Sequence, residues 1–148
     1  MSTTLYYLGM IIGGFTLLIV LGIPLALWEG RAKRKKMELA FAGREPLSED
    51  SFYERYIQSR GVPANVVVKI RRILEDELNA DLSRLSAEDD FSRNLSFFWE
   101  YDSLADVEIV MRLEEEFSIK ITDAEAGQTR TVEDIVNLVW RKLRPREA

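Results

Sequence analysis

At 148 residues the chain has room for one ordinary domain plus an appendage. Its formal charge of -5 is unevenly spread: Arg31 to Lys36 holds five basic residues and no acid, whereas Asp102 to Glu125 holds eight acids against Arg112 and Lys120. An acidic domain argues against nucleic acid as a partner and for proteins with basic docking surfaces. Without cysteine or histidine, the chain excludes disulfides, Cys/His metal sites and any Ser-His-Asp or Cys-His catalytic arrangement of its own.

Ser2 through Trp28 carries no charge, and Leu5 to Trp28 is almost wholly apolar. Those 24 residues, at about 1.5 Å each, reach roughly 36 Å, enough for a hydrocarbon core of about 30 Å. A secretory signal peptide has a basic start, a shorter apolar core and a small-residue cleavage site. This segment has none of these and runs into Trp28-Glu29, so a retained membrane span is expected. Arg31, Lys33, Arg34, Lys35 and Lys36 follow it directly. The positive-inside rule then gives a single-pass protein of the cell inner membrane, with the following domain in the cytoplasm. The same cluster can rest on anionic headgroups. Gly9 and Gly13 form a Gly-x-x-x-Gly pair through which two spans could approach as a weak homodimer.

Met37 to Pro46 reads as a linker, with Gly43 and Pro46 as helix breakers. Residues 1–30 are thus expected to form the anchor, and 31–63 a basic juxtamembrane segment, linker and extra helix. Ser48 caps that short helix, Phe52, Tyr53, Tyr56 and Ile57 crowd one side of it, and Gly61 is placed to end it. The aromatic side is expected to pack on the domain that follows, with the membrane interface as its alternative resting place.

Val66, Val67, Ile70, Ile73, Leu74 and Leu78 predict an amphipathic helix with Lys69, Arg71, Arg72, Glu75 and Asp76 outside. Asp81 to Ser96 is a polar loop with Leu82, Leu85, Phe91 and Leu95 as apolar anchors. Phe97-Phe98-Trp99-Glu100-Tyr101 follows, with too much aromatic surface to be left in water. It has three places to go: the core, the extra helix, or a partner or lipid surface. Part of it could also wall the residues just after it.

Asp102 is a good N-cap, which puts Ser103 at the start of a helix, where free amides and the helix dipole favour an incoming phosphate. Leu104, Val107, Val110, Met111 and Phe117 predict its apolar side, with Glu108, Arg112 and Glu115 opposite and Glu116 close by. Ser103 has no obvious base nearby in sequence and reads as a residue that another enzyme modifies. Thr131 caps a last helix, with Asp134 three residues on. Val132, Ile135, Val136, Val139 and Leu143 form its buried face, and Pro145 follows its end.

Asp102-Ser103-Leu104, Val107 to Met111 and Leu113 to Phe117 resemble an acyl carrier protein, and the likeness continues through Ile121-Thr122-Asp123 and Thr131-Val132. The resemblance implies an all-α fold: a small four-helix bundle over 64–144, preceded by an extra helix and an N-terminal transmembrane helix. Its first helix is the Val66–Leu78 segment, and Asp123 to Gln128 is its short third helix. It implies that Ser103, flanked by Asp102 and Leu104, carries a covalent 4′-phosphopantetheine arm whose thiol holds an acyl group as a thioester. Val107, Met111, Ile121 and Ala126 would border an acyl pocket, and Asp106, Glu108, Glu115 and Glu116 would dock partners. Those partners would be a phosphopantetheinyl transferase, using coenzyme A and magnesium, and acyl-transfer or acyl-activating enzymes of lipid and fatty-acid metabolism. Such a chain is a carrier and no enzyme, and tethering raises its concentration near membrane partners.

Two departures stand beside the resemblance. The family usually passes from the position of Leu95 to Asp-Ser-Leu through two residues, whereas this chain uses Ser96 to Tyr101. Thr129 falls where the family usually has an apolar residue. Two other readings stay open: an unmodified adaptor of the same fold at the membrane, and a carrier of aminoacyl or other small acid groups.

Overall fold

A computed structural model describes residues 7, 10, 11, 16, 28 and 30–144. The chain divides into two compact units, Met1–Glu38 and Leu39–Ala148. In the first, residues 30–38 are helical and expose Arg31, Arg34 and Lys35. Apart from Tyr7, Met10, Ile11, Thr16 and Trp28, the expected span lies outside the described residues, as do Gly9, Gly13 and Pro145. Among the described residues no helix is long and apolar enough to cross a membrane.

The described elements are α1 (residues 30–40), α2 (Glu49–Tyr56), α3 (Ala64–Glu77), α4 (Phe98–Tyr101), α5 (Ala105–Phe117), α6 (Asp123–Gln128) and α7 (Val132–Leu143). Among the described residues the regular elements are all helical, as expected. Helices α3, α5 and α7 pack pairwise, and α2 packs on α3. Val66, Val67, Ile70, Ile73, Leu74 and Leu78 are all buried, as their spacing predicts. The long loop before α4 is polar in composition but bound in place. Leu82, Leu85, Phe91 and Leu95 are buried, and an isolated antiparallel bridge joins Asp90 to Thr131.

Met37 to Pro46 is not the loose linker its glycine and proline suggest. It is helical as far as residue 40, and Phe41 is then fully buried. The guanidinium carbons of Arg44 and Arg84 lie 5.6 and 5.8 Å from the Phe41 ring centroid. Gly43 makes the turn with a φ of 74°, in the region that favours glycine. Arg44 then grips Asp89 through two hydrogen bonds of 2.7 and 2.9 Å, and the Leu47 amide donates to the Ser83 carbonyl at 2.7 Å. An apolar anchor and a two-pronged ion pair outweigh the breakers.

Ser48 caps α2 by accepting from the Ser51 amide at 3.1 Å. Phe52 and Ile57 are buried, so the aromatic side packs inward as expected. Gly61, at φ 70°, ends the 3-10 turn Gln58–Arg60 rather than α2, which stops one turn earlier. Arg71 reverses the expectation that it faces water, for only 5% of it is exposed. It donates to the carbonyls of Leu47 (3.1 Å) and Ser48 (3.4 Å) and to Glu75 (3.3 Å), and lies 5.4 Å from the Phe52 ring centroid. The carbonyls entering α2 are covered by the helix packing, and the long guanidinium stem carries donors to them. Outside it, Arg72 makes paired bonds of 2.7 and 2.9 Å to Glu49.

Thr122 and Thr131 close capping boxes with Glu125 and Asp134, which start α6 and α7. Glu125 also meets Lys142 of α7 at 2.7 Å. The Lys142 hydrogen bond and the Thr122 amide hold its carboxyl at about 2.

Asp89 is 3% exposed and accepts from Arg44, from the Ser86 amide at 2.8 Å and from the Asn94 side-chain amide at 2.8 Å. Removing it breaks four hydrogen bonds from three residues at once. Asp89→Ala is expected to destabilise the protein by about 2 kcal/mol, since hydrogen bonds to a charged acceptor are lost while Arg44, 35% exposed, can still reach water. Urea unfolding followed by tryptophan fluorescence measures this.

Candidate functional site

The site is built where α4 hands over to α5. The Asp102 amide donates to the Phe98 carbonyl at 3.2 Å and closes α4. Its carboxylate accepts from the Leu104 amide at 3.0 Å. The chain therefore makes a turn through Ser103 and Leu104 before the regular helix starts at Ala105, with Leu104 at the N-cap position. This corrects the expectation that Asp102 caps the helix directly and that Ser103 is its first residue. The short aspartate folds back on the amide two residues ahead, and that local turn displaces the helix start. Ser103 is exposed, and among the described residues no hydrogen bond engages its hydroxyl. Asp106 and Glu108 stand in the first turn of α5, where negative charge suits the helix dipole.

The buried edge of α5 is also different from the expected one. Ala105, Ile109 and Leu113, four residues apart, face the core, while Val110 and Phe117 are half-buried. Leu104, Val107 and Met111 are 62%, 51% and 61% exposed and form an apolar stripe on the outer face. Helical spacing groups Leu104, Val107 and Met111 correctly but does not say which group lies inward. The small Ala105, set in register with Ile109 and Leu113, was the available signal. It marks the side on which a neighbouring helix approaches closely.

The expected pocket residues are not drawn around one cavity. Val107 and Met111 are on the exposed stripe, Ile121 is buried and Ala126 lies half-buried in α6. An open groove of about 650 Å³ beside α5 includes Met111 but none of the other three. The expected docking acids separate into two groups. Asp106 and Glu108 are exposed with no ion pair among the described residues. Glu115 lies 3.3 Å from Arg112 and Glu116 lies 2.5 Å from Lys69, whose hydrogen bond holds the Glu116 carboxyl below its usual range.

The aromatic insert is largely accounted for by packing. Phe97 and Phe98 are buried with ring centroids 4.5 Å apart. The Trp99 indole N–H donates to the Phe91 carbonyl at 2.9 Å, and its ring lies 5.7 Å from that of Phe91. The Phe91 amide in turn donates to the Arg130 carbonyl at 2.9 Å, so Trp99 props the loop that reaches the start of α7.

Residues 68–139, which include this turn and all of α5, match the family model described as a phosphopantetheine attachment site. Over 80 residues the chain is 34% identical to an acyl carrier protein of Thermosynechococcus vestitus, covering 54% of this chain and 94% of that relative. It is 38% identical over 73 residues to one from Phaeodactylum tricornutum, covering 49% and 91%. With one from Trieres chinensis it shares 35% over 71 residues, covering 48% and 84%. The chain belongs to the acyl carrier protein family. Its cofactor is 4′-phosphopantetheine, held covalently. Members of this family are carriers rather than enzymes, served by a phosphopantetheinyl transferase and by acyl-handling enzymes. An exposed, uncommitted hydroxyl in a turn before a helix suits such an attachment, because another protein can reach it without unfolding anything.

In this acyl carrier protein Trp99→Ala removes a half-buried ring and leaves the Phe91 carbonyl without its donor. The expected cost is about 3 kcal/mol. A urea midpoint that does not move would show that the indole is free for another use.

Proposed function

We propose that this protein is a membrane-anchored acyl carrier. In this reading Ser103 holds the 4′-phosphopantetheine arm, and the domain presents acyl groups to acyl-transfer or acyl-activating enzymes at the inner face of the cell inner membrane. The observation that carries the site assignment is Ser103 itself. It is an exposed serine with a free hydroxyl between Asp102 and Leu104, inside the stretch that matches the attachment model. A transferase would move the 4′-phosphopantetheine group from coenzyme A to the serine oxygen, breaking the diphosphate bond and releasing adenosine 3′,5′-bisphosphate and the serine proton, and the bound arm would supply a thiol for thioester chemistry. What the chain's own residues do is present and orient. The turn keeps the hydroxyl outside the bundle, the Leu104–Val107–Met111 stripe offers an apolar contact, and Asp106 and Glu108 attract basic partner surfaces.

The anchor rests on sequence: an uncharged stretch from Ser2 to Trp28 followed by five basic residues within six positions. A tethered carrier would meet membrane partners at raised effective concentration without any new contact. Acyltransferases acting on lipids are the partner class that this arrangement suits best.

Ser103→Ala is expected to abolish arm attachment while changing stability by less than about 0.5 kcal/mol, as for an exposed side chain without partners. Labelling with a fluorescent coenzyme A analogue and a broad-specificity phosphopantetheinyl transferase reads the first, and thermal melting the second. Label that survives the substitution moves the site elsewhere, and a wild-type protein that takes no label becomes an unmodified adaptor.

For the anchor, a reporter fused after Ala148 is expected to behave as cytoplasmic, and protease added outside intact cells should leave the carrier unit whole. Recovery of a soluble domain with a new N-terminus near Glu29 would refute the tether.

A further inference from the structure

Arg112 stands on the outer face of α5, next to Met111, with its side chain about half exposed. Its Nε lies 3.1 Å from Glu77 at the end of α3, and its Nη1 lies 3.3 Å from Glu115, three residues along its own helix. With Glu77, Glu108, Met111, Glu115, Ile119 and Lys120 it lines the groove of about 650 Å³. The neighbouring acids are answered within the chain as well. Glu114 meets Lys120 at 3.3 Å, and Glu116 meets Lys69 at 2.5 Å. Toward Ser103 the pattern stops, for Asp106 and Glu108 have no such cation among the described residues.

We propose that Arg112 is a specificity-determining residue for partner docking, one that confines the attractive charge of α5 to the end nearest Ser103. The inference rests on the carrier reading above and deepens it. Exposed ion pairs of this kind add little stability, but they change the local potential that an approaching protein meets. A partner whose basic groups meet Asp106 and Glu108 beside the Leu104–Val107–Met111 stripe engages without breaking anything. A partner that requires Glu115 must first displace Arg112 from it. The C-terminal half of α5, acidic by sequence, therefore behaves as a nearly neutral wall and rejects partners that read charge along the whole helix.

The test measures kcat/KM for arm attachment to the full-length protein in detergent, using a phosphopantetheinyl transferase with a basic docking surface. Arg112→Ala is expected to raise kcat/KM about threefold at low salt, an advantage that fades near 0.5 M salt, at roughly a 4–5 Å screening length. Arg112→Lys, which keeps the charge, should stay near the native rate. Glu115→Gln should slow attachment about threefold more in the Arg112→Ala background than in the native one, because only there is Glu115 unmasked. Arg112→Gln retains the side-chain stem and gives the same comparison should the alanine variant melt early. A labelled wild type whose rate does not rise on either neutral substitution, or rises equally at all salt concentrations, overturns this proposal alone. A wild type that takes no label overturns the carrier reading, and this inference falls with it.

Discussion

The functional end of this protein depends on which edge of α5 is buried. With Ala105, Ile109 and Leu113 turned into the core, residues at positions 104, 107 and 111 of the same helix must face out. That single rotational choice exposes Leu104, Val107 and Met111 as a stripe and leads the preceding turn, with Ser103, away from the bundle. A buried Met111 would hide the apolar contact and turn the core residues into solvent. Helical geometry allows no intermediate setting, so packing of α5 against α3 and α7 fixes what a partner can touch.

The second constraint lies in two charged residues that have left water. Arg71 satisfies the carbonyls that enter α2, and Asp89 gathers Arg44, the Ser86 amide and Asn94. Each is costly to bury and each is fully answered, which makes the contact specific in a way that apolar packing alone is not. Through them, and through Phe41 and Phe52, the segment from Leu39 onward becomes part of the carrier unit. The curated relatives match roughly half of this chain, and both Phe41 and Arg44 lie outside residues 68–139, the stretch that matches the family model. The polar loop is thus held in part by residues that precede the stretch matching the family model.

Charge on α5 follows the same logic of local answers. Counting residues makes the helix strongly acidic, yet its acids differ according to what the fold brings near. Lys69 comes from α3 and Lys120 from the loop after α5, so Glu116 and Glu114 are partnered from outside the helix. Glu114 is further engaged by the Ile121 amide at 2.7 Å, and that bond, with Lys120, keeps its carboxyl below the usual range. Among the described residues Asp106 accepts only the Val107 amide, at 2.8 Å, and neither it nor Glu108 is met by a cation.

Much of this was legible in one dimension. The Val66–Leu78 helix, the Ser48 and Thr131 caps, the short helix Asp123–Gln128 and the Asp102-Ser103-Leu104 motif, though not the turn that delays its helix to Ala105, are local, because periodicity, capping chemistry and a motif act over a few residues. The burial of Arg71 was not legible, since a charged residue at an outward position looks solvated until a second helix lies over it. Nor was the grip of Asp89 on Arg44, 45 residues away in sequence. The sequence by itself determined that the chain is helical, acidic around Ser103 and a member of a carrier family, because those properties belong to residue types and their spacing. Only the tertiary structure decided which edge of α5 is buried, which acids are neutralised and that the extension is bound, because each depends on contacts between segments that the linear order keeps apart.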